Sequence, residues 1–347
     1  MARKRRAQSP EKVVNLALQG GGAHGAFAWG VLDALLADPR ISFEAATSAS
    51  AGSMNAVVLA HGLTVGGRDG ARQALQDFWE QISGASRLIP DVSNGPFSVP
   101  PFMGMDWQPF FRDFIVDTMT RLTSPYQFNP LNINPLRQVL ERIVDFERLR
   151  AACPLKLFLS ATNVRTGKIK VFENDELTVD AVLASACLPF LFQAVEIGDE
   201  AYWDGGYMGN PPIYPLIYSA ESRDVVIVHI NPLTRPDVPR DASSIMDRVN
   251  EISFNSSLMR EMRAIAFVTE LIDAGQIKTR ELRKMLIHSI ESDTLMRTLT
   301  ASSKLSPDWG FLQSLRDEGS ARATEWMNTH HDDIGQTSTV DIRERYL

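Results

Sequence analysis

Short apolar runs alternate with stretches of helical periodicity in the first third of the chain. Residues 13–18 form an apolar run that ends at three glycines, and residues 25–36 place apolar side chains on one helical face. A run of small residues over 45–49 is followed by a second helical stretch over 53–61. Because each strand is followed by a loop and a helix, the pattern predicts a mainly parallel sheet between layers of helices, an α/β fold.

The strand pattern continues towards residue 230, and the chain then becomes more charged. Further strands are predicted over 155–161, 169–172, 201–203 and 225–230, with a short helix over 179–186. Apolar spacing then predicts C-terminal helices over 244–274, 279–290 and 292–299, followed by a loosely docked end.

These patterns predict three parts. Residues 1–12 form a flexible basic N-terminus, residues 13–235 an α/β domain, and residues 236–347 a helical C-terminal region packed on the core. Residues 93–135 interrupt the α/β pattern with aromatic side chains, namely Phe97, Phe102, Trp107, Phe110, Phe111, Phe114, Tyr126 and Phe128. This aromatic segment suits a lid or the lining of an apolar cleft, and it equally suits an irregular insertion packed on the core.

Composition narrows the class of protein. The 347 residues carry a net charge of −7, with 44% hydrophobic and 22% charged residues, which is ordinary for a globular protein and unlike a nucleic-acid binder. No apolar run reaches the ~20 residues of a membrane span, and the basic start lacks the apolar core of a signal peptide. We therefore expect a cytoplasmic protein, with peripheral membrane contact through Arg3–Arg6 as an alternative. The oligomeric state is left open.

The first chemical motif is Ser-Ala-Ser-Ala-Gly over residues 48–52, between a predicted strand and a predicted helix. A strand-to-helix turn of this kind lifts the central serine, Ser50, clear of the backbone at the positive end of the helix. The usual form is G-x-S-x-G, with Gly52 in its place here and Ser48 at the first glycine position. A tight turn with no catalytic role is the competing interpretation.

The second motif is a glycine-rich loop over residues 19–25. Gly20, Gly21 and Gly22 allow backbone N–H groups to turn outward, which forms a concavity for an anion. In ester hydrolysis that concavity is an oxyanion hole. His24 and Gly25 complete the motif.

The same glycines also spell the dinucleotide-binding pattern G-x-G-x-x-G. That interpretation requires an acidic residue at the end of the next strand, to hold a ribose. Glu44 precedes the small-residue run of that strand, and the strand ends at the Ser50 turn instead. We therefore favour the oxyanion loop.

The third motif is Asp204-Gly205-Gly206, directly after a predicted strand. A carboxylate at a strand end can reach a serine hydroxyl on a neighbouring strand and act as its general base. An Asp-Gly pair is also common in hairpin turns, so this motif alone is weak.

In this order and spacing, the three motifs resemble those of the patatin-like phospholipases. The resemblance covers roughly Val13 to Pro232. It implies a three-layer α/β/α fold with a helical C-terminal extension, and hydrolysis of phospholipid or lysophospholipid acyl esters through an acyl-enzyme, with no metal or cofactor. It also implies a Ser–Asp dyad of Ser50 and Asp204, with the oxyanion hole at Gly20, Gly21 and Gly22.

Two residues depart from the family pattern. Ser48 stands where glycine is usual, which adds a side chain at the tightest point of the turn. His24 stands where arginine or lysine is usual, so a positive charge there becomes pH-dependent. Because of these departures, a weakly active acyl-binding protein remains an alternative. An esterase for other acyl esters or polyester is a separate alternative.

A conventional Ser–acid–His triad is a further alternative, since His229 follows Asp204 in the chain. His229 lies near the end of an apolar strand, where a histidine is more often a satisfied core residue. The sequence shows no metal-binding motif of the HExxH, paired CxxC or calcium-loop type.

Overall fold

The computed structural model describes residues 11–85, 123–277, 282–300 and 302–347. Nearly all of the predicted flexible N-terminus and residues 93–122 of the aromatic segment lie outside the described residues. The roles proposed for those two segments therefore stay predictions.

The strands of the described residues form one sheet. They are β1 Lys12–Leu18, β2 Ile41–Ser48, β3 Lys156–Asn163, β4 Ile169–Phe172, β5 Val195–Ile197, β6 Glu200–Asp204, β7 Asp224–Val228 and β8 Leu286–Ile290. The order across the sheet is β5-β6-β3-β2-β1-β7-β8, and β4 also pairs with β3. Pairing is parallel from β3 through β2, β1 and β7 to β8, and antiparallel where β4, β5 and β6 join.

Helices connect and cover these strands. They are α1 Gly25–Ala37, α2 Ala51–Ala85, α3 Pro125–Phe128, α4 Pro135–Ile143, α5 Phe146–Ala152, α6 Val179–Ser185, α7 Tyr214–Ser219, α8 Ala242–Asp273, α9 Asp293–Met296, α10 Trp309–His330 and α11 Ile342–Tyr346. Short 3-10 turns include Gly22–His24, Gly205–Tyr207 and Ser302–Leu305. The long helix α2 is interrupted at Gly66 and Gly67, where the backbone leaves the helical region.

The sheet buries both of its faces, as alternation along β7 illustrates. Val226 and Val228 belong to the core shared with α1, α2, α6 and α10. Val225 and Ile227 belong to a second core shared with α7, α8 and α11. Because successive side chains of a strand point to opposite faces, a strand buried on both sides is apolar throughout. The result is the three-layer α/β/α arrangement expected from the sequence.

Two expectations for the C-terminal region are wrong. Leu286–Ile290 is a strand, β8, and not part of a helix over 279–290, because it pairs along the open edge of β7. One of its two polar residues, His288, is hydrogen-bonded to Asp224 of β7 at 3.0 Å. The chain end is also firmly docked, since Tyr346 is 1% exposed. The sheet therefore extends past the predicted domain boundary at residue 235.

Candidate active site

Ser50 lies in a sharp turn between β2 and α2. Its φ of 52° is a left-handed conformation, which costs a non-glycine residue about 1–3 kcal/mol. The Ser50 amide donates to the carbonyl oxygen of Ser185 and also lies 3.1 Å from its Oγ. A Cβ at Gly52 would overlap the carbonyl oxygen of Leu18, so the turn needs glycine there. The turn thus holds the Ser50 hydroxyl at the N-terminus of α2.

The register of the sheet brings Asp204 to the level of this turn. Ser48 at the end of β2 pairs with Leu159 of β3. Two residues further along β3, Ala161 pairs with Asp204 at the end of β6. Since β4 pairs with both Leu159 and Ala161, it occupies one edge of β3, and β2 and β6 share the other. Residues 50 and 204 therefore lie at the same level, where β2 and β6 end along that shared edge.

The Asp204 carboxyl is fully buried. Its Oδ1 accepts a hydrogen bond from the Gly206 amide at 2.7 Å, whereas Oδ2 has no partner at hydrogen-bond distance among the described residues. Burial raises the pKa of Asp204 to about 6, against the lowering effects of the Gly206 amide, the Ser50 hydroxyl and Lys304. The Ser50 hydroxyl is thus near enough to stabilise the ionised form of the Asp204 carboxyl, although the two groups do not form a short hydrogen bond. Long catalytic hydrogen bonds of this kind are common in enzymes before substrate binds.

The glycine-rich loop passes directly over the Ser50 turn. A Cβ at Gly20 would lie 2.6 Å from Cβ of Ser50, so the loop can come this close only with glycine. The Gly20 amide is already engaged, because it donates to Oδ1 of Asn210 at 2.7 Å. In the described part of the chain, the amides of Gly21 and Gly22 have no hydrogen-bond partner. They are the free donors of the loop.

Gln19 anchors the start of this loop, and its side chain is completely buried. Its Oε1 accepts from the amides of Ile230 and Asn231 at 2.9 and 3.0 Å. Its Nε2 donates to the carbonyl oxygen of Asn210 at 3.2 Å and to Oδ1 of Asn255 at 3.1 Å. One side chain therefore ties the loop to the segments that follow β7 and β6 and to α8.

Ser48 is accommodated by a chain of buried hydroxyl groups. Its Oγ lies 3.0 Å from Oγ of Ser53, which lies 2.8 Å from Oγ of Ser185. Oγ of Ser185 then accepts from the Ser50 amide. The side chain that replaces the usual glycine is therefore hydrogen-bonded, and the chain of hydroxyls links it to the Ser50 turn.

The structure does not bring His229 to the site. His229 is 3% exposed, and its Nε2 lies 2.6 Å from the Tyr346 hydroxyl. Burial lowers its pKa to about 3, so its ring is neutral at neutral pH. No contact joins it to Ser50 or Asp204 within the described ranges. It is a core histidine that docks the chain end.

The dinucleotide interpretation also finds no support at Glu44. Glu44 accepts hydrogen bonds from the amides of Glu221 and Ser222 at 2.7 and 2.8 Å and pairs with Lys156 at 3.0 Å. Its carboxylate is thus occupied by the loop before β7.

His24 does belong to the glycine-rich loop, but it is uncharged. Burial, with a smaller effect from Lys304, lowers the pKa of His24 to about 3. Its Nε2 lies 2.7 Å from Oγ of Ser303, in a turn of the C-terminal region. The expected pH-dependent charge at this position is therefore confined to acid pH.

Three residues at the site carried no signal in the sequence. Asn210, Ser185 and Lys304 each lie in a different segment, outside any motif, and reach the site only through the fold. The described residues also contain no group of three or more potential metal ligands. None of their helices is long and apolar enough to cross a bilayer.

A serine turn and a glycine-rich loop at the carboxyl edge of a sheet between two helical layers are features of a three-layer α/β hydrolase. Residues 16–217 match the family model described as patatin-like phospholipase. Since the match spans more than half of the chain, the protein belongs to the patatin-like phospholipase family and is a lipid acyl hydrolase.

Two solved structures are similar to the chain at a low level. VipD from Legionella pneumophila aligns with 15% identity and a TM-score of 0.45, covering 100% of this chain and 78% of VipD. The heterodimeric ExoU–SpcU complex from the type III secretion system of Pseudomonas aeruginosa aligns with 18% identity and a TM-score of 0.30, covering 96% and 74%. A comparison with curated proteins found no match. The family assignment therefore rests on the family model.

Proposed function

We propose that the protein hydrolyses acyl esters of phospholipids or lysophospholipids through a dyad of Ser50 and Asp204. The observation that carries the proposal is the shared level of the two residues at the sheet edge, with Ser50 in a left-handed turn. The Asp204 carboxyl is buried beside it and keeps one oxygen without a hydrogen-bond partner among the described residues. A turn-held hydroxyl next to a spare carboxylate oxygen suits a nucleophile and its base.

In the first step, Oγ of Ser50 attacks the ester carbonyl carbon and its proton passes to Asp204. The carbonyl oxygen becomes an oxyanion, which the amides of Gly21 and Gly22 are free to stabilise. The bond from carbon to the leaving alcohol oxygen then breaks, and that oxygen takes the proton from Asp204. This leaves an acyl ester on Ser50.

In the second step, a water molecule attacks the acyl carbon and gives a proton to Asp204. The bond to Oγ breaks, Oγ takes the proton back, and the fatty acid leaves. A pKa of about 6 suits Asp204 both for accepting the proton and for returning it. The carboxyl is mostly ionised at neutral pH, yet it is a stronger base than an ordinary aspartate.

The family description favours phospholipid esters over other esters as substrates. The test is fatty-acid release from phosphatidylcholine and lysophosphatidylcholine vesicles, beside a series of p-nitrophenyl esters of increasing chain length. We expect release by the wild type and none above background by Ser50→Ala, while Ser314→Ala, an exposed helical serine, serves as the matched control.

Cleavage confined to short p-nitrophenyl esters would support the esterase alternative. Vesicle binding without any fatty-acid release would support the acyl-binding alternative. Equal release by wild type and Ser50→Ala would contradict the proposed nucleophile.

A further inference from the structure

Lys304 contacts the glycine-rich loop from the C-terminal region, far outside the family-matched residues 16–217. It lies in the 3-10 turn Ser302–Leu305, and its side chain is partly buried. A Cβ at Gly22 would overlap the Lys304 carbonyl oxygen, so the two backbones are in direct contact. The C-terminal region thus supplies one wall of the site.

A chain of hydrogen bonds runs from the Lys304 side chain into the loop. Its Nζ donates to Oδ1 of Asn231 at 2.8 Å, and Nδ2 of Asn231 donates to the carbonyl oxygen of Gly20 at 2.8 Å. The Gly20 amide in turn donates to Asn210. Because a connected hydrogen-bond network restrains its members, Lys304 helps to set the position of the loop.

The charge of Lys304 is not cancelled by an ion pair within the described residues. Asn231, its side-chain partner, is a neutral amide. Glu251, the carboxylate with the largest influence on Lys304, is itself paired with Arg235 at 2.5 Å and Arg248 at 3.1 Å. Withdrawing a cation from water without a counter-ion of its own is costly, and such groups are concentrated at functional sites.

Charged and titratable groups face Lys304 from several elements. Burial lowers the pKa of Lys304, while the carboxylates around it oppose that effect; the groups that face it are Glu251, Asp247, Asp204, Arg235 and His24. The groups that face Asp204 are Ser50, Cys187, Tyr207 and Lys304. Because His24 is neutral, Lys304 is the cation that acts on both the loop and Asp204.

The Nζ of Lys304 lies 5.9 Å from the centre of the Phe254 ring, and that ring packs against Gly206, two residues from Asp204. We propose that Lys304 is a positioning residue of the hydrolytic site, which holds the glycine-rich loop through Asn231 and places a positive charge in the neighbourhood of the buried carboxylate of Asp204. The inference rests on the proposed function, because it assigns Asp204 as the base. Because Lys304 belongs to the C-terminal region, the site is incomplete without that region.

The test compares three substitutions at Lys304 in the full chain. Lys304→Gln keeps a donor for Asn231 but removes the charge, Lys304→Met removes both, and Lys304→Arg keeps the charge. Lys284→Met is the matched control, since Lys284 pairs with Asp273 at 2.7 Å in the same region. For each variant, kcat and KM for p-nitrophenyl butyrate are measured from about pH 5 to about pH 9, with thermal unfolding alongside.

We expect Lys304→Met to lower kcat about tenfold at neutral pH with little change in KM, and Lys304→Gln to lower kcat by less because it keeps the donor to Asn231. Lys304 lowers the pKa of Asp204, so its loss raises that pKa and moves the acid limb of kcat/KM to higher pH. The loss of activity is therefore larger at low pH than at high pH. Lys304→Arg returns the limb towards its wild-type position, and Lys284→Met leaves it unchanged.

An acid limb of Lys304→Gln that coincides with that of the wild type would overturn the proposal. So would equal shifts in Lys304→Gln and Lys304→Arg, because the charge would then have no role. Unfolding of all three variants would make Lys304 a structural residue and also overturn it. A wild type with no esterase activity would instead mark the failure of the proposed function itself.

Discussion

At the scale of single residues, two opposing effects set the pKa of the buried Asp204 carboxyl. Desolvation raises the pKa of Asp204, and the Gly206 amide, the Ser50 hydroxyl and Lys304 limit that rise to a pKa of about 6. The buried histidines His24 and His229 both have their pKa lowered to about 3. Among these three groups, Asp204 is thus the one whose titration falls just below neutral pH.

Replacement of Asp204 by Asn should lower kcat/KM about a thousandfold, because the amide cannot accept the Ser50 proton. In the wild type, the base works only when ionised, so kcat/KM should fall as the pH drops through about 6. His229→Gln, which keeps a polar partner for Tyr346, should retain most activity and the same acid limb. The measurement is a pH series of p-nitrophenyl ester hydrolysis for all three proteins. The reverse pattern, with His229→Gln inactive and Asp204→Asn active, would favour the triad.

Site residues that stand in local motifs could be predicted from the sequence, and site residues outside such motifs could not. Ser50 and Asp204 stand in short motifs at strand ends, so spacing alone could propose them as a pair. Asn210 and Lys304 contact the loop only because distant segments fold against it. Such contacts arise from tertiary packing and cannot be recognised from a pattern in the sequence.

At the scale of elements, the close approach of the glycine-rich loop to the Ser50 turn is the tightest constraint on the site. A Cβ on residue 20 would lie 2.6 Å from Cβ of Ser50 and 2.9 Å from the carbonyl oxygen of Ala49. Neither contact is with the end of a flexible side chain, so the loop or the turn must shift.

Gly20→Ala should therefore lower kcat about a hundredfold, since a displaced loop no longer presents its amides to the oxyanion. Gly84→Ala is the matched control, because a Cβ there meets nothing within 4 Å. Steady-state kinetics and thermal unfolding of the two variants check the expectation. Wild-type kcat in Gly20→Ala would mean that the loop has room that the structure does not show.

The pattern of elements was predictable where strands and helices have clear apolar periods. The strand and helix around the glycine-rich loop, Lys12–Leu18 and Gly25–Ala37, agree closely with the predicted ranges. The strand Leu286–Ile290 was not predicted, because its apolar spacing also suits a helix and the open edge of β7 decides between them. For such a segment, the presence of a partner strand decides whether it forms a strand or a helix.

At the scale of the whole molecule, the C-terminal region completes the fold and does not merely extend it. It adds β8 to the sheet, packs α10 against α1, and docks α11 through Tyr346 onto His229. Nothing in the local sequence distinguishes a docked end from a frayed one, because the contact joins residues 117 positions apart.

The central claim is that Ser50 is the nucleophile of one site assembled from three distant segments. Its most direct test is to treat the protein with a fluorophosphonate and to map the covalent adduct by peptide mass spectrometry. We predict a single adduct on Ser50 in the wild type and in His229→Gln, and none in Ser50→Ala. An adduct on another residue, or equal labelling of Ser50→Ala and the wild type, would contradict this claim.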